Sequence, residues 1–505
     1  MKTAGRIRSA VTAVTAGGYL YMVLAVAAAA CLLDPTGPAE VPGIVMLGGL
    51  AVVAAVGLYW YLTGRMTAGR LITLLIAAGF VLRLGYTLYT GAQQRQHDVE
   101  QFGGGVGHAG YIEYLYEHFS LPPGDPTATW QFYHPPLHHW LAACCMRLVT
   151  ACGGSYQRAV ESIQYLTLLY SGFCMLLCRR LFELLGLRGR GAVAAMGVVC
   201  FYPAFILLAG SVNNDILSVT LMLAALVTAL QWWQEPTLPR ILAVALCIGA
   251  GMSAKLSAVL VAPAVALLFL WRWRWPAPAE PLRRPTAQFG AFAAVCFPLG
   301  LWWSVRNLIG WRVFPGYVPM LSQDNWLYIG GYSVWQRLFG WIGYPMKTVF
   351  ISYGLKQDYL DYNPIIALLK TAMFGEYDLA AGRPWLLPAC VALFALGTLL
   401  ALYAVWAMLW CLIRDGELPR PYKWFTACLY GTVLFSYVQF CLTYAHACTQ
   451  NIRYAMVLPV LGCFFIGRRI QALCGAGKRV RGWFLVGLCA AFCILAAAVY
   501  IGLGV

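Results

Sequence analysis

Between Gln93 and Met146 stand His97, His108, His118, His134, His138 and His139, six of the chain's seven histidines. Asp98, Glu100, Glu113, Glu117 and Asp125, five of its nineteen acidic residues, lie there too. Side chains of these types move protons and hold cations. Asp98 follows an apolar run by a few residues, with His97 before it and Glu100 two after it. A carboxylate in that setting, partly withdrawn from water, can act as a general base toward an incoming hydroxyl or amine. The competing reading is a solvated loop acid. His134 and His138 are four apart and permit a metal site with Asp98 or His108. The chain has no HExxH motif and no CxxC pair, so no metal is expected. Gly103, Gly104, Gly105 and Gly107 read as a flexible loop, and no phosphate-loop pattern occurs.

The elements that must position these groups are apolar. Of 505 residues, 61% are hydrophobic and 11% charged. Mean hydropathy is +0.68, and apolar runs recur through most of the length. This is the composition of an all-α polytopic membrane protein. The net charge of +16 does not point to nucleic acid. The basic residues collect in short loops between apolar runs, the positive-inside pattern, and no basic face with interleaved aromatics appears in a soluble segment. The eighteen cysteines lie mostly inside apolar runs as small apolar residues. Cys144, Cys145 and Cys152 lie near the polar stretch, and a disulfide among them is left open.

Lys2, Arg6 and Arg8 predict a cytoplasmic N-terminus, followed by spans over 11–33, 43–62 and 71–90. The segment from Leu137 to Val149 is too short to cross and reads as interfacial. The loop bearing Arg179, Arg180, Arg188 and Arg190 is cytoplasmic only if that segment does not cross. Further spans are expected over 160–179, 191–208, 216–233, 241–252, 256–271, 289–305, 385–413, 424–444, 454–466 and 483–503, about thirteen in all. The runs at 241–252 and 256–271 are expected as a tight hairpin. Residues 1–70 form an N-terminal start with two extra spans, and 71–505 form one catalytic module without a separate soluble domain. Its first outer loop, 91–158, and second, 307–384, carry interfacial helices.

Lys255, Arg306 and Arg453 then sit at outer helix ends, where topology does not call for cations. With His134 they would suit an anionic headgroup such as a phosphate; snorkelling cations are the alternative. Asn213, Asn214 and Asp215 form a second outer polar spot. It reads as a helix cap or as a second carboxylate that orients an acceptor.

Taken in order, these motifs resemble the lipid-carrier-dependent glycosyltransferases of the GT-C fold. Within them the protein O-mannosyltransferase and lipid A aminoarabinose transferase group is the most similar. The resemblance rests on Asp98, the glycine-rich loop with HAGYI, and the YHPPLHH motif from Tyr133 to His139. It continues through Asn214–Asp215, GMSAKLS (Gly251 to Ser257), WWSVRN (Trp302 to Asn307) and IRYAMVLP (Ile452 to Pro459).

The resemblance implies an inverting transfer of one sugar from a polyprenyl-phosphate carrier, such as undecaprenyl phosphate, to a lipid, glycan or protein acceptor. Asp98 would be the base. His134 and Arg306 would contact the donor phosphate, with Lys255 and Arg453 as further cations. Asp215, Asn214 and Glu100 would serve the acceptor side, and His97, His108 and Tyr133 would support. A tyrosine among Tyr317, Tyr328, Tyr332, Tyr344, Tyr353, Tyr359, Tyr362 and Tyr377 would be a further phosphate contact. No cofactor or metal is implied. The expected location is a bacterial plasma (inner) membrane, with the site extracytoplasmic and membrane lipids around it. Many relatives have adjacent Asp-Glu, whereas here Glu100 is two after Asp98. The lack of a large soluble outer domain argues against an oligosaccharyltransferase. A transporter or flippase of a lipid-linked sugar, and a glycan polymerase or ligase, are the alternatives. Polar groups gathered at one face, not at mid-membrane depth, favour the enzyme.

Overall fold

The computed structural model describes residues 2–35, 37–275, 283–340 and 361–504. Helices carry it almost throughout. They are α1 (Lys2–Leu32), α2 (Val41–Leu62), α3 (Ala68–Tyr89), α4 (Gly107–His118), α5 (Leu137–Ala151), α6 (Tyr156–Leu184), α7 (Gly189–Phe201), α8 (Pro203–Ala209) and α9 (Asp215–Gln234). Then follow α10 (Leu238–Ala254), α11 (Ala262–Arg274), α12 (Arg283–Trp311), α13 (Val334–Phe339), α14 (Pro364–Phe374), α15 (Leu387–Arg414), α16 (Arg420–Thr443), α17 (Val457–Gly475) and α18 (Arg479–Ile501). A membrane core leaves backbone groups no water to bond, so helices that satisfy their own are the outcome that composition demands.

Among the described residues ten helices are long and apolar enough to cross a membrane, eleven if α7 and α8, bent by 45°, form one span. The expected thirteen is not reached on that measure. The described apolar part of α1, Gly17–Leu32, is short, and α10 has 17 residues. The expected hairpin at Lys255 opens out. Helix α10 packs between α9 and α12, whereas α11, after a 3-10 turn over Leu256–Val261, packs mainly on α16. Helix α5 is 15 residues long, lies between α4 and α6, and is not among the span-length helices. Cys144, Cys145 and Cys152 are all unpaired thiols.

The break between α7 and α8 has an identifiable cause and a consequence. Pro203 has no N–H to give to Val199, so the ladder opens. Fully buried Arg83 of α3 takes the freed carbonyls, donating to Cys200 O at 2.5 Å and Val199 O at 3.4 Å. Its Nε donates to Ser171 Oγ at 2.9 Å, and that hydroxyl donates on to Phe205 O of α8 at 2.8 Å. A cation at a helix C-terminus is well placed against the helix dipole. The bend aims α8 at the loop Gly210–Asn214, which enters the polar end of the bundle. Replacing Arg83 by Leu would leave the buried Cys200 carbonyl without its partner, at about 1–3 kcal/mol, while Val199 O keeps the N–H of Tyr202. Arg83→Leu should therefore lower the thermal unfolding midpoint of the detergent-purified protein clearly, and Arg83→Lys less so.

Candidate active site

Asp98 is held in an unusual backbone state. Its φ is 58°, and Arg95 and Glu100 also lie in the left-handed region, at 54° and 60°. Asp tolerates that region better than most residues, but three such residues in six persist only if their surroundings enforce them. Helix α4 does part of this. Its first N–H groups lack partners within the helix. His108 N donates to Asp98 O at 3.3 Å and Ala109 N to Val99 O at 2.8 Å. Gly107 of the expected flexible loop, and Gly110 within α4, prove to be packing residues. A Cβ on Gly107 would lie 2.5 Å from Val99 O, and one on Gly110 2.4 Å from Gly105 C. Gln96 does the rest. Its Nε2 donates to Gly210 O at 2.9 Å and its Oε1 accepts from Val212 N at 3.0 Å, stitching the Asp98 loop to the loop before α9.

That stitch brings distant charges together. Arg453 Nη2 donates to Asp98 Oδ2 at 2.5 Å, and its Nη1 lies 3.7 Å from Asp215 Oδ2. Lys255 Nζ pairs with the other oxygen of Asp215. Burial would raise the Asp98 carboxyl, but Arg453 and then His97 outweigh it and hold it below its ordinary value. Arg453 is held well above its own, the two aspartates overcoming burial. The Asp98 side chain is 33% exposed, against 6% for Arg453 and 2% for Asp215, so Asp98 alone of the three is open to a substrate.

The predicted residues divide. Asp98, Asp215, Lys255 and Arg453 form one ion-pair chain, with His134 close enough to feel all four charges. The space beside Asp215, Lys255 and Arg453 is about 10 Å³, room for one water at most. Arg306 stands apart. Its guanidinium lies between Trp303 and Trp311, donates to Pro122 O at 3.2 Å, and faces a cavity of about 520 Å³ also lined by Glu113, Tyr114, Asp125 and Phe132. Of the three cations predicted for a phosphate, Arg306 borders the large space, and Lys255 and Arg453 the small one. His134 was grouped with them, but burial and then Lys255 pull its pKa down to about 3. It is a neutral imidazole near pH 7 and offers a hydrogen bond, not a charge.

The remaining residues have structural partners. His108 Nδ1 meets His139 Nε2 at 2.8 Å and its ring stacks on His134. His138 Nε2 meets Val212 O at 2.7 Å. Asn214 is buried and donates to Ala254 O at 2.8 Å, tying the start of α9 to the end of α10. Trp303 Nε1 donates to Tyr133 O at 2.9 Å, which locks the YHPPLHH segment to α12. Glu100 is exposed. Tyr344, Tyr353 and Tyr359 lie outside the described residues. Among the other five tyrosines, Tyr317 packs edge-on against Tyr133 and Tyr377 stacks on His97. Among the described residues no three His, Cys, Asp or Glu side chains converge to hold a metal ion.

Two participants were missed in the sequence. Glu376 Oε2 lies 3.1 Å from His97 Nδ1, and its Oε1 accepts from Asn451 Nδ2 at 2.8 Å. Asn451 borders the IRYAMVLP motif, and Glu376 is an acid in the tyrosine-rich loop; either could have been marked on those grounds.

Residues 133–303 match the family model described as dolichyl-phosphate-mannose-protein mannosyltransferase. The match spans a third of the chain and takes in Tyr133, His134, Asn214, Asp215 and Lys255, in accord with the resemblance drawn from the motifs. It supports a membrane glycosyltransferase. Two solved structures are similar. The Archaeoglobus fulgidus oligosaccharyltransferase tethered with an acceptor peptide containing the NVT sequon is 13% identical, with a TM-score of 0.43; the likeness covers 85% of this chain and 55% of that one. Apo ArnT from Cupriavidus metallidurans is 15% identical, with a TM-score of 0.36, over 85% of this chain and 77% of that one. This chain thus spans about half the length of the first. None of the curated proteins matches by sequence.

Removing one partner from a buried ion pair leaves an uncompensated charge and costs about 3–5 kcal/mol. Lys255→Met should therefore destabilise the protein strongly, and Lys255→Met with Asp215→Asn should recover much of the loss. Thermal unfolding of the single and double variants checks this.

Proposed function

We propose that this protein transfers a single sugar from a polyprenyl-phosphate carrier to an acceptor, with inversion, at the polar end of the bundle. The observation that carries the reading is the ion pair of Asp98 with Arg453. A partly exposed carboxylate is kept ionised by a buried guanidinium, next to a segment that matches a lipid-phosphate-sugar transferase family. In this reading the acceptor O–H or N–H approaches Asp98 Oδ1, which has no hydrogen bond among the described residues. The acceptor atom bonds to the anomeric carbon as the carbon–oxygen bond to the phosphate breaks. The electron pair of that bond leaves on the phosphate oxygen, and the acceptor proton passes to Asp98. One displacement inverts the anomeric centre.

A carboxylate paired this closely is a weak base, so the proton moves late, once the acceptor atom has become acidic by bonding. The phosphate gains a negative charge as it leaves. Arg306 faces the cavity and would stabilise that charge, with neutral His134 as a hydrogen-bond donor. No step calls for a metal. The protein would lie in a plasma membrane with this end extracytoplasmic. The acceptor, whether lipid, glycan or protein, is met on that side, and the lipid tail of the donor remains in the bilayer.

With a panel of polyprenyl-phosphate sugars, Asp98→Asn should lose roughly 10²–10⁴-fold in kcat, while EDTA leaves the wild type unchanged. Full activity in Asp98→Asn would remove the base assignment, and loss with EDTA would bring metal chemistry back. Arg306→Gln should raise the donor KM more than it lowers kcat.

The pH dependence has a definite sign. Because the Asp98 pKa is depressed, the carboxylate persists through neutral pH, and activity falls only on acidification below the ordinary aspartate value of about 3.9. In Arg453→Gln the main group opposing burial is gone and only His97 is left to lower the Asp98 carboxyl, so the acid limb of kcat/KM should move upward in pH.

A further inference from the structure

The Asp98 loop is held from a third side by the segment that follows α14. Helix α14 ends at Gly375, whose φ of 62° suits glycine and turns the chain sharply. The next two residues then both reach the loop. Glu376 Oε2 lies 3.1 Å from His97 Nδ1. The Tyr377 ring stacks on the His97 ring at 4.8 Å with an interplanar angle of 28°, and the Tyr377 hydroxyl donates to Arg95 O. These contacts bracket the left-handed residues Arg95 and Asp98.

The same carboxylate also holds the opposite wall. Glu376 Oε1 accepts from Asn451 Nδ2 at 2.8 Å, and Asn451 Oδ1 accepts from Arg453 N at 3.0 Å. The turn carrying Arg453 is further tied to α14 by Ile452 N donating to Thr371 Oγ1 at 2.9 Å. One half-buried carboxylate therefore grips the residue before the proposed base and, through Asn451, the residue that keeps that base ionised.

We infer that Glu376 is a positioning residue that sets the register between Asp98 and Arg453, acting through His97 on one side and Asn451 on the other. Among the described residues it makes no hydrogen bond to the base or to the guanidinium, although its charge lies near enough to help keep Arg453 charged. Its effect is to hold a loop of three left-handed residues against a turn some 350 residues along the chain. Glutamate fits this task because its two oxygens accept in two directions at once. A glutamine has one acceptor oxygen, and its NH₂ group would confront the Asn451 NH₂ or the His97 Nδ1–H.

The inference rests on the proposed transfer reaction, and two measurements separate the two. The first is steady-state transfer by full-length protein in nanodiscs, with the polyprenyl-phosphate sugar that the wild type accepts. Glu376→Gln should lower kcat roughly 10- to 100-fold, the cost of misplacing a catalytic group by about 1 Å, with donor KM nearly unchanged and partial recovery in Glu376→Asp. A loss confined to KM, or none, overturns the inference while leaving the reaction intact.

The second is hydrogen exchange, which needs no activity. The amides of His108 and Ala109 bond to Asp98 O and Val99 O, so Glu376→Gln should speed their exchange at an unchanged unfolding midpoint. Unchanged exchange overturns the inference. Faster exchange in a protein whose wild type transfers no sugar upholds the positioning role and sinks the proposed function instead.

Discussion

The polar end of this molecule depends on one buried guanidinium. Arg453 is almost out of contact with water and bonds a carboxylate 355 positions earlier in the chain. Burying a cation is costly unless it is paired and hydrogen-bonded. Arg453 meets Asp98 and Asp215 together and the Tyr454 hydroxyl at 2.9 Å. The demand for compensation works in both directions. The aspartates need a cation to remain ionised in a half-dry setting, and the cation needs them to be there at all. Four separate elements are drawn to one point: the loop after α3, the start of α9, the end of α10 and the turn before α17.

The helices deliver these groups because their breaks are managed. Pro203 opens the α7–α8 ladder, Arg83 and Ser171 take up what it frees, and the bend directs the chain into Gly210–Asn214. Gln96, Gln164 and His138 then bond the backbone of Gly210 and Val212. The histidines that crowd the motif region are mostly this kind of support. Burial keeps His108, His134, His138 and His139 neutral, so they stack and share hydrogen bonds without repelling one another. A neutral histidine beside Lys255 also spares that end of the bundle an additional positive charge.

Charge and space are separated within the site. The Asp98–Arg453–Asp215–Lys255 chain is tightly closed, whereas the cavity of about 520 Å³ opens beside Arg306, against Gly105 and, in α4, Gly110. Trp303 links the two, lining that cavity while its indole N–H holds Tyr133, the neighbour of His134.

Much of this was legible from residue types. A membrane core forces helices on apolar runs, so the all-helical class followed from composition, and the short helix at Leu137 followed from its length and the arginines beyond it. The importance of Asp98, Asp215, Lys255 and Arg453 was visible because ionisable residues at the ends of apolar runs are expensive and need a reason. What each one does was not visible. Lys255 and Arg453 read as free cations for a phosphate, and only the fold shows their charge taken up by Asp215 and Asp98. Charge pairing depends on which helix ends meet, and residue spacing along the chain carries no record of that. Glu376 was passed over for the same reason: an acid in a polar loop looks solvated until the tertiary structure buries it against His97 and Asn451. The sequence determined which groups were too costly to be incidental; the packing of the helices decided which would neutralise one another and which was left facing open space.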